Sequence, residues 1–201
     1  MAPKLKLYGF GTTRSARCRW ALLETGLPFD YEDNGKLIRS DRLRAMQPLG
    51  KLPALEVDGQ PMFESAAICT FVADLVPEAG LIALPGTRER ALHDQWTSFV
   101  LTELEAWLWS NFKHTTSYPE EHRVAGVVEP NRREARKALE VFDDVLGKRP
   151  YLTGDKFQVT DIIASWTINW GRRMDLAADL DNVAAYLERL SQREHCTLNP
   201  D

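Results

Sequence analysis

"GKLPALEVDGQPMFES", residues 50–65, decides how the first part of this chain folds. Asp58-Gly59 is a two-residue hairpin signal between the short runs "PALEV" (53–57) and "QPMFE" (60–64). Pro53 has no N–H to give a ladder, so it belongs at the start or the edge of a strand. Read locally, it is an ordinary trans proline, because cis bonds are uncommon even before proline. A cis bond would instead turn the backbone N–H and C=O of Leu52 outward, where an extended peptide can pair with them. After the hairpin, "SAAICTFVADLV" (65–76) has a helical pattern, with Ser65 as its N-cap. Glu64-Ser65 also has the means to hold a free amino acid. The helix start suits a carboxylate, and Glu64 suits an ammonium group.

Working outward, "KLKLYGF" (4–10) alternates like a strand, and "SARCRWALLETGL" (15–27) follows as a helix. Ser15 is its expected N-cap, and Gly26 stands where a left-handed terminating residue is needed. "PFDYED" (28–33) is a second strand, and strand–helix–strand implies a parallel crossover. "SDRLRAMQPLG" (40–50) is a short helix stopped by Pro48. Beyond Val76 the chain turns rich in Pro and Gly, then shows only helical patterns, over 87–112, 129–150, 159–174 and 182–194. The expected fold is therefore α/β plus all-α: a βαβ-α-ββα domain over 1–77, a linker over 78–86 and a helical bundle over 87–201.

The 201 residues carry a net charge of −4, which argues against nucleic acid as a partner. Hydrophobic residues make up 44%, enough for a folded core. Cys18, Cys69 and Cys196 form no CxxC and no even-numbered framework, so a disulfide scaffold is not expected. Four His with no HExxH and no i,i+4 pair predict no metal site. The start "MAPKLKLYGFGTT" lacks the apolar core of a signal peptide, and no run reaches the ~18 apolar residues of a membrane span. A cytoplasmic protein without membrane partners is expected.

The order βαβ-α-ββα, then helices, resembles the cytosolic glutathione transferases. So do three motifs: "QPLGKLPALEVDGQPMFESAAI" (47–68) against the family's "NPLGKVPAL" and "ESxAI", "RCRWAL" (17–22) against "RVRIAL", and "GDKFQVTDI" (154–162) against "GDKFSVADI". The pattern is nearest the bacterial-type and Ser/Thr-type classes such as zeta, phi and theta. The resemblance implies a thioredoxin-like first domain that binds glutathione as co-substrate. It implies a cis Leu52-Pro53 bond, with the Leu52 backbone pairing with the cysteinyl unit. Glu64 and Ser65 then match the γ-glutamyl grip, and Lys51 matches a residue that helps hold the glycyl end. A homodimer is implied too, to which Asp94 and Arg88 on the long helix are candidate contributors.

A thiol of pKa about 8.5 must be deprotonated to act as a nucleophile. The family supplies a hydroxyl or thiol near the start of the first helix for this. Aligned on Arg17-Cys18-Arg19, that position is Thr12, with Thr13 next to it and Tyr8 a third candidate. A Thr keeps the O–H donor. With no Cys there, thiol transfer through a mixed disulfide is not expected, and Cys18 and Cys69 read as core residues. Phe10, Trp107 and Phe112 are the candidates for an apolar electrophile pocket, with Trp109 and His114 beside them. Asp161 reads as a folding residue of a capping box whose cap position holds Gln158, a poor cap that Thr160 could displace. The implied reaction is addition of glutathione to a small apolar electrophile. The alternatives are another glutathione-dependent reaction (isomerisation, dehalogenation, ether cleavage or peroxide reduction) or a non-catalytic glutathione-binding protein.

Overall fold

The computed structural model describes residues 3–198. They divide into two units, one holding the chain up to Pro85 with the segment from Arg193 onward, the other Gly86–Gln192. The first unit runs β1 (Leu5–Gly9), α1 (Ser15–Thr25), β2 (Phe29–Asp33), α2 (Asp41–Arg44), β3 (Ala54–Val57), β4 (Gln60–Met62) and α3 (Ser65–Asp74). Its sheet has the order β2-β1-β3-β4. β1 is parallel to β2, pairing Leu5 with Phe29, and antiparallel to β3, pairing Leu7 with Leu55. The expected βαβ-α-ββα order and the parallel crossover from β1 to β2 are both present.

The alternation of β1 explains its two covered faces. Tyr8 packs with Leu37, Leu43, Leu52 and Ala54 on the side that carries α2. Leu5, Leu7 and Leu55 alternate to the opposite side and are buried there. α1 and α3 pack against each other, and Trp20, Leu22, Ile68 and Val72 on them are fully buried. Burying such side chains contributes roughly 1.5–3 kcal/mol each. Gly26 ends α1 at φ 68°, as its sequence position required.

Four local expectations need correction. Ser15 is the first helical residue of α1, not its cap, and the cap position falls on Arg14, whose side chain does not cap the helix. Ser65 is likewise the first residue of α3, and the cap position is Glu64. α2 begins at the Ser40 cap, whose hydroxyl accepts from Leu43 N at 3.2 Å, and ends at Arg44, before Pro48, where the chain turns toward Gly50. The 78–86 stretch is not a solvated linker throughout. Pro77–Ala79 forms a 3-10 turn, and Leu81 and Ile82 are buried.

In the second unit, α4 (Arg88–Phe99) passes through a π-helical turn (Val100–Glu105) into α5 (Ala106–Phe112), with a second π turn at Lys113–Ser117. The pattern read as one helix over 87–112 is thus interrupted by a wider turn, which rotates the faces that follow it. α6 (Val128–Leu146), α7 (Val159–Arg173) and α8 (Asp181–Ser191) complete the unit. Trp96, Phe99 and Phe142 cluster with ring centroids 5.5–5.7 Å apart. The cap of α7 stays at Gln158 and is not displaced by Thr160, which is buried and bonded to His93 Nδ1 at 2.8 Å. Asp161 Oδ2 accepts from Gln158 N at 2.9 Å, and Oδ1 accepts from Leu152 N at 3.0 Å and from the Tyr186 hydroxyl at 2.9 Å. Among the described residues no helix is long and apolar enough to cross a membrane.

Candidate functional site

The β3–β4 hairpin brings its two flanks together. Leu55 pairs with Met62, and Asp58 with φ 51° and Gly59 with φ 81° close the turn. Followed away from the turn, the same register brings Leu52 and Pro53 to the end of the hairpin where Glu64 and Ser65 stand. The Leu52–Pro53 bond is cis, as the resemblance implies. The Leu52 side chain is buried, yet its backbone N–H and C=O make no hydrogen bond to any described residue. A buried segment normally satisfies such groups, so this pair is open to a ligand's backbone.

Glu64 sits at φ 70°, ψ 107°, a conformation that a residue with a Cβ adopts only under constraint. Its carboxylate has no hydrogen bond or ion pair among the described residues. The Ser65 hydroxyl likewise makes none, although the residue is only 5% exposed. An acceptor and a hydroxyl are thus held at the start of α3, beside the free N–H groups of its first turn. Lys51 is exposed on the other flank.

A residue that the sequence did not single out holds this loop. Gln47 is buried, and its Oε1 accepts from Leu49 N at 2.8 Å and from Lys51 N at 2.9 Å. Its carbonyl accepts from Gly50 N at 2.8 Å. Gly50 has φ 62°, and a Cβ there would stand 2.9 Å from Arg39 Cα, so no other residue fits. The available signal was a Gln opening a Pro- and Gly-rich loop that has no other side chain able to accept from several N–H groups.

The turn from β1 to α1 carries the hydroxyl candidates. Thr13 Oγ1 lies 2.7 Å from Ser15 Oγ, and Ser15 Oγ also accepts from Phe10 N at 3.0 Å. Ser15 is therefore the hub of the turn, and Gly9 lets it in: a Cβ on Gly9 would meet Ser15 Oγ at 2.7 Å. Thr12 is exposed, and its hydroxyl has no partner among the described residues. Tyr8 is buried, and its hydroxyl donates to Glu56 Oε2 at 2.7 Å, so its proton is already held within the sheet. The Cys18 thiol, one turn into α1, donates to Ser65 O at 3.5 Å. That contact brings the starts of α1 and α3 together. Burial pushes the Cys18 thiol well above its ordinary pKa, so it stays protonated and serves packing.

The apolar candidates lie in separate units. Phe10, in the first, is 48% exposed and covers Gly35, where a Cβ would stand 2.9 Å from its ring. In the second, Trp107 is half-buried, and Phe112 is exposed and stacks on Trp109 at 5.3 Å with an edge contact to Trp170 at 6.4 Å.

Comparison with known proteins identifies the family to which the chain is similar. Residues 7–80 match the family model of the glutathione S-transferase N-terminal domain, and 101–194 match that of the C-terminal domain. Glutathione S-transferase 3 of Zea mays is 31% identical over 177 residues, covering 80% of this chain and 75% of its own. A glutathione transferase from Methylococcus capsulatus superposes with TM-score 0.82 at 28% identity, covering 95% of this chain and 94% of its own. A sphingomonad glutathione S-transferase complexed with glutathione has the same fold, with TM-score 0.83 at 24% identity over 94% of both chains. Two domain matches that together span most of the chain, and a relative aligned over three quarters of its own length, make this protein a member of the glutathione S-transferase family of enzymes.

Proposed function

We propose that the protein transfers glutathione to a small electrophile, holding the tripeptide along the flank 51–53 and 64–65 and activating its thiol at Thr12. The observation that carries this is the set of open groups in one place: the unpaired Leu52 backbone, the Glu64 carboxylate and the Ser65 hydroxyl. A tripeptide with a free α-amino acid at one end, an amide in the middle and a carboxylate at the other supplies a partner for each. Leu52 pairs with the cysteinyl amide. Glu64 takes the ammonium and Ser65 the α-carboxylate. Lys51 offers a cation to the glycyl carboxylate.

The thiol of that cysteinyl unit points toward the start of α1. There the Thr12 hydroxyl donates to the sulfur, and the positive end of the helix favours the thiolate. Attack on the electrophile then forms the carbon–sulfur bond and expels the leaving group or generates a carbanion that takes a proton from water. Phe10, in the first unit, is the proposed apolar contact for the electrophile, and Trp107 and Phe112 are apolar candidates within the second. The family resemblance supports a two-fold dimer in the cytoplasm as the working form.

Calorimetry at millimolar glutathione tests the binding half. The expected result is saturable heat from the native protein, weakened about tenfold in Ser65→Ala, the worth of one hydrogen bond to a charged group. Absence of heat, or a Ser65→Ala variant that binds as the native protein does, would overturn it.

A further inference from the structure

Beside Thr12 the first unit contains a cavity of about 370 Å3. Gly11, Thr12, Arg19, Tyr31, Asp33 and Cys196 are among its lining residues. Its far wall is the segment that follows α8, and that segment is pinned to α1 at two points. Arg193 Nε and Nη2 bond both oxygens of Glu24, at 2.9 and 2.6 Å. Thr197 Oγ1 donates to Ala16 O at 2.9 Å. Trp20 Nε1 also donates to Glu24 Oε1 at 2.8 Å. Burial works against the Glu24 charge, but these bonds prevail and hold its carboxyl below the usual range, so the clamp is charged at neutral pH.

Two charges face this cavity. The Arg19 guanidinium lies 5.1 Å from the centroid of the Tyr31 ring and makes no ion pair among the described residues. Stacking on an aromatic face fixes the plane of a guanidinium while leaving its N–H fork unused. Asp33 is the other charge, and its Oδ1 accepts only a long bond, 3.4 Å, from Gly11 N. Cys196 adds no charge, because burial pushes its thiol above the ordinary value.

We infer that this cavity takes the outer end of the electrophile, and that the preferred electrophile carries one carboxylate or a similarly small anion paired with Arg19. This rests on the reading that the glutathione sulfur lies at Thr12. An electrophile reacting there has the cavity directly beside it. The preset fork of Arg19 matches a carboxylate in a two-bond arrangement. Asp33 limits the charge: one anion directed at Arg19 is accommodated, whereas a second in the same cavity meets a like charge. The expected class is therefore a compact electrophile with an apolar body and a single anionic group.

Calorimetry with two conjugates, S-benzylglutathione and S-(4-carboxybenzyl)glutathione, tests this without relying on turnover. In the native protein the carboxylated conjugate should bind about tenfold more tightly, the worth of a charge-assisted bond. Arg19→Ala should bring the ratio close to one with glutathione itself bound as before, and Arg19→Lys should restore part of it. Asp33→Asn should raise affinity for a 3,5-dicarboxybenzyl conjugate more than for the monocarboxylate. A ratio near one in the native protein, or one that Arg19→Ala leaves unchanged, overturns the inference with glutathione binding intact. Failure of glutathione itself to bind is a different result: it overturns the reading beneath, and this inference with it.

Discussion

At the scale of single residues, the two threonines of the turn over 11–15 differ in what holds them. Thr13 is bonded to Ser15, and Ser15 to Phe10 N, so Thr13 and Ser15 shape the turn. Thr12 is exposed, and its hydroxyl has no partner among the described residues. Thr12→Ala should therefore lower conjugation of a neutral aryl halide about a hundredfold, the usual loss for one preset donor. Glutathione affinity should change by less than about threefold, and the pH profile of the rate should move up toward the free thiol pKa of about 8.5. Thr12→Ser, which keeps the donor, should retain most of the rate. If Thr13→Ala gives this signature and Thr12→Ala does not, the sulfur lies one position further along. Family alignment put Thr12 first among the candidates; that its hydroxyl has no partner among the described residues lay outside the alignment. An N-cap rule sees only the residue that precedes a periodic run, so it read Ser15 as a cap and missed the bond that Gly9 makes room for.

At the scale of elements, α7 shows what a capping motif does when it is buried. Asp161 is fully buried and accepts from Leu152 N, Gln158 N and the Tyr186 hydroxyl, tying the 151–158 loop and α8 to the start of α7. The motif "GDKFQVTDI" made this a folding residue in the sequence. The poor cap Gln158 is tolerated because Asp161 satisfies its N–H and Thr153 donates to its side chain. Burial raises the Asp161 carboxyl pKa to about 6 against the pull of those donors. The folded state then holds this proton more tightly than the unfolded chain, whose carboxyl titrates near 4. The stabilising contribution of Asp161 is thus largest below about pH 4 and declines as pH rises toward 6, by up to about 3 kcal/mol. Urea unfolding of the native protein and Asp161→Asn across pH 4–7 isolates this, because all other groups are shared. The native advantage should shrink between pH 4 and 6 and level off above. An advantage that grows with pH would mean the site favours the carboxylate and would reverse the sign.

At the scale of the whole molecule, the order of elements was legible because each carries a local signal: the Asp58-Gly59 turn, Gly26 after α1, the Pro- and Gly-rich break after Val76. What was not legible is the membership of the last segment. Arg193 and Glu24 are 169 residues apart, and no local pattern encodes a contact at that range. The 1–77, 78–86 and 87–201 division therefore differs from the observed units, in which the segment from Arg193 joins the first. The two units also separate the proposed ligand groups from the folding groups. Thr12, Leu52, Glu64 and Ser65 lie in the first, whereas Asp161 and Tyr186 lie in the second. Glutathione at about a hundred times its dissociation constant stabilises what it binds by about 2.7 kcal/mol. Amide hydrogen exchange should then slow about a hundredfold in β1, β3, α1 and α3, where opening requires loss of the ligand. The Leu52 amide is the most diagnostic probe. It has no acceptor among the described residues, so it should exchange quickly in the free protein and become protected once the tripeptide pairs with it. The Leu152 and Gln158 amides, which Asp161 holds, should exchange at the same rate with and without glutathione. Equal slowing there would show that the two units open as one, and an unprotected Leu52 amide at saturation would remove the backbone pairing on which the site is built.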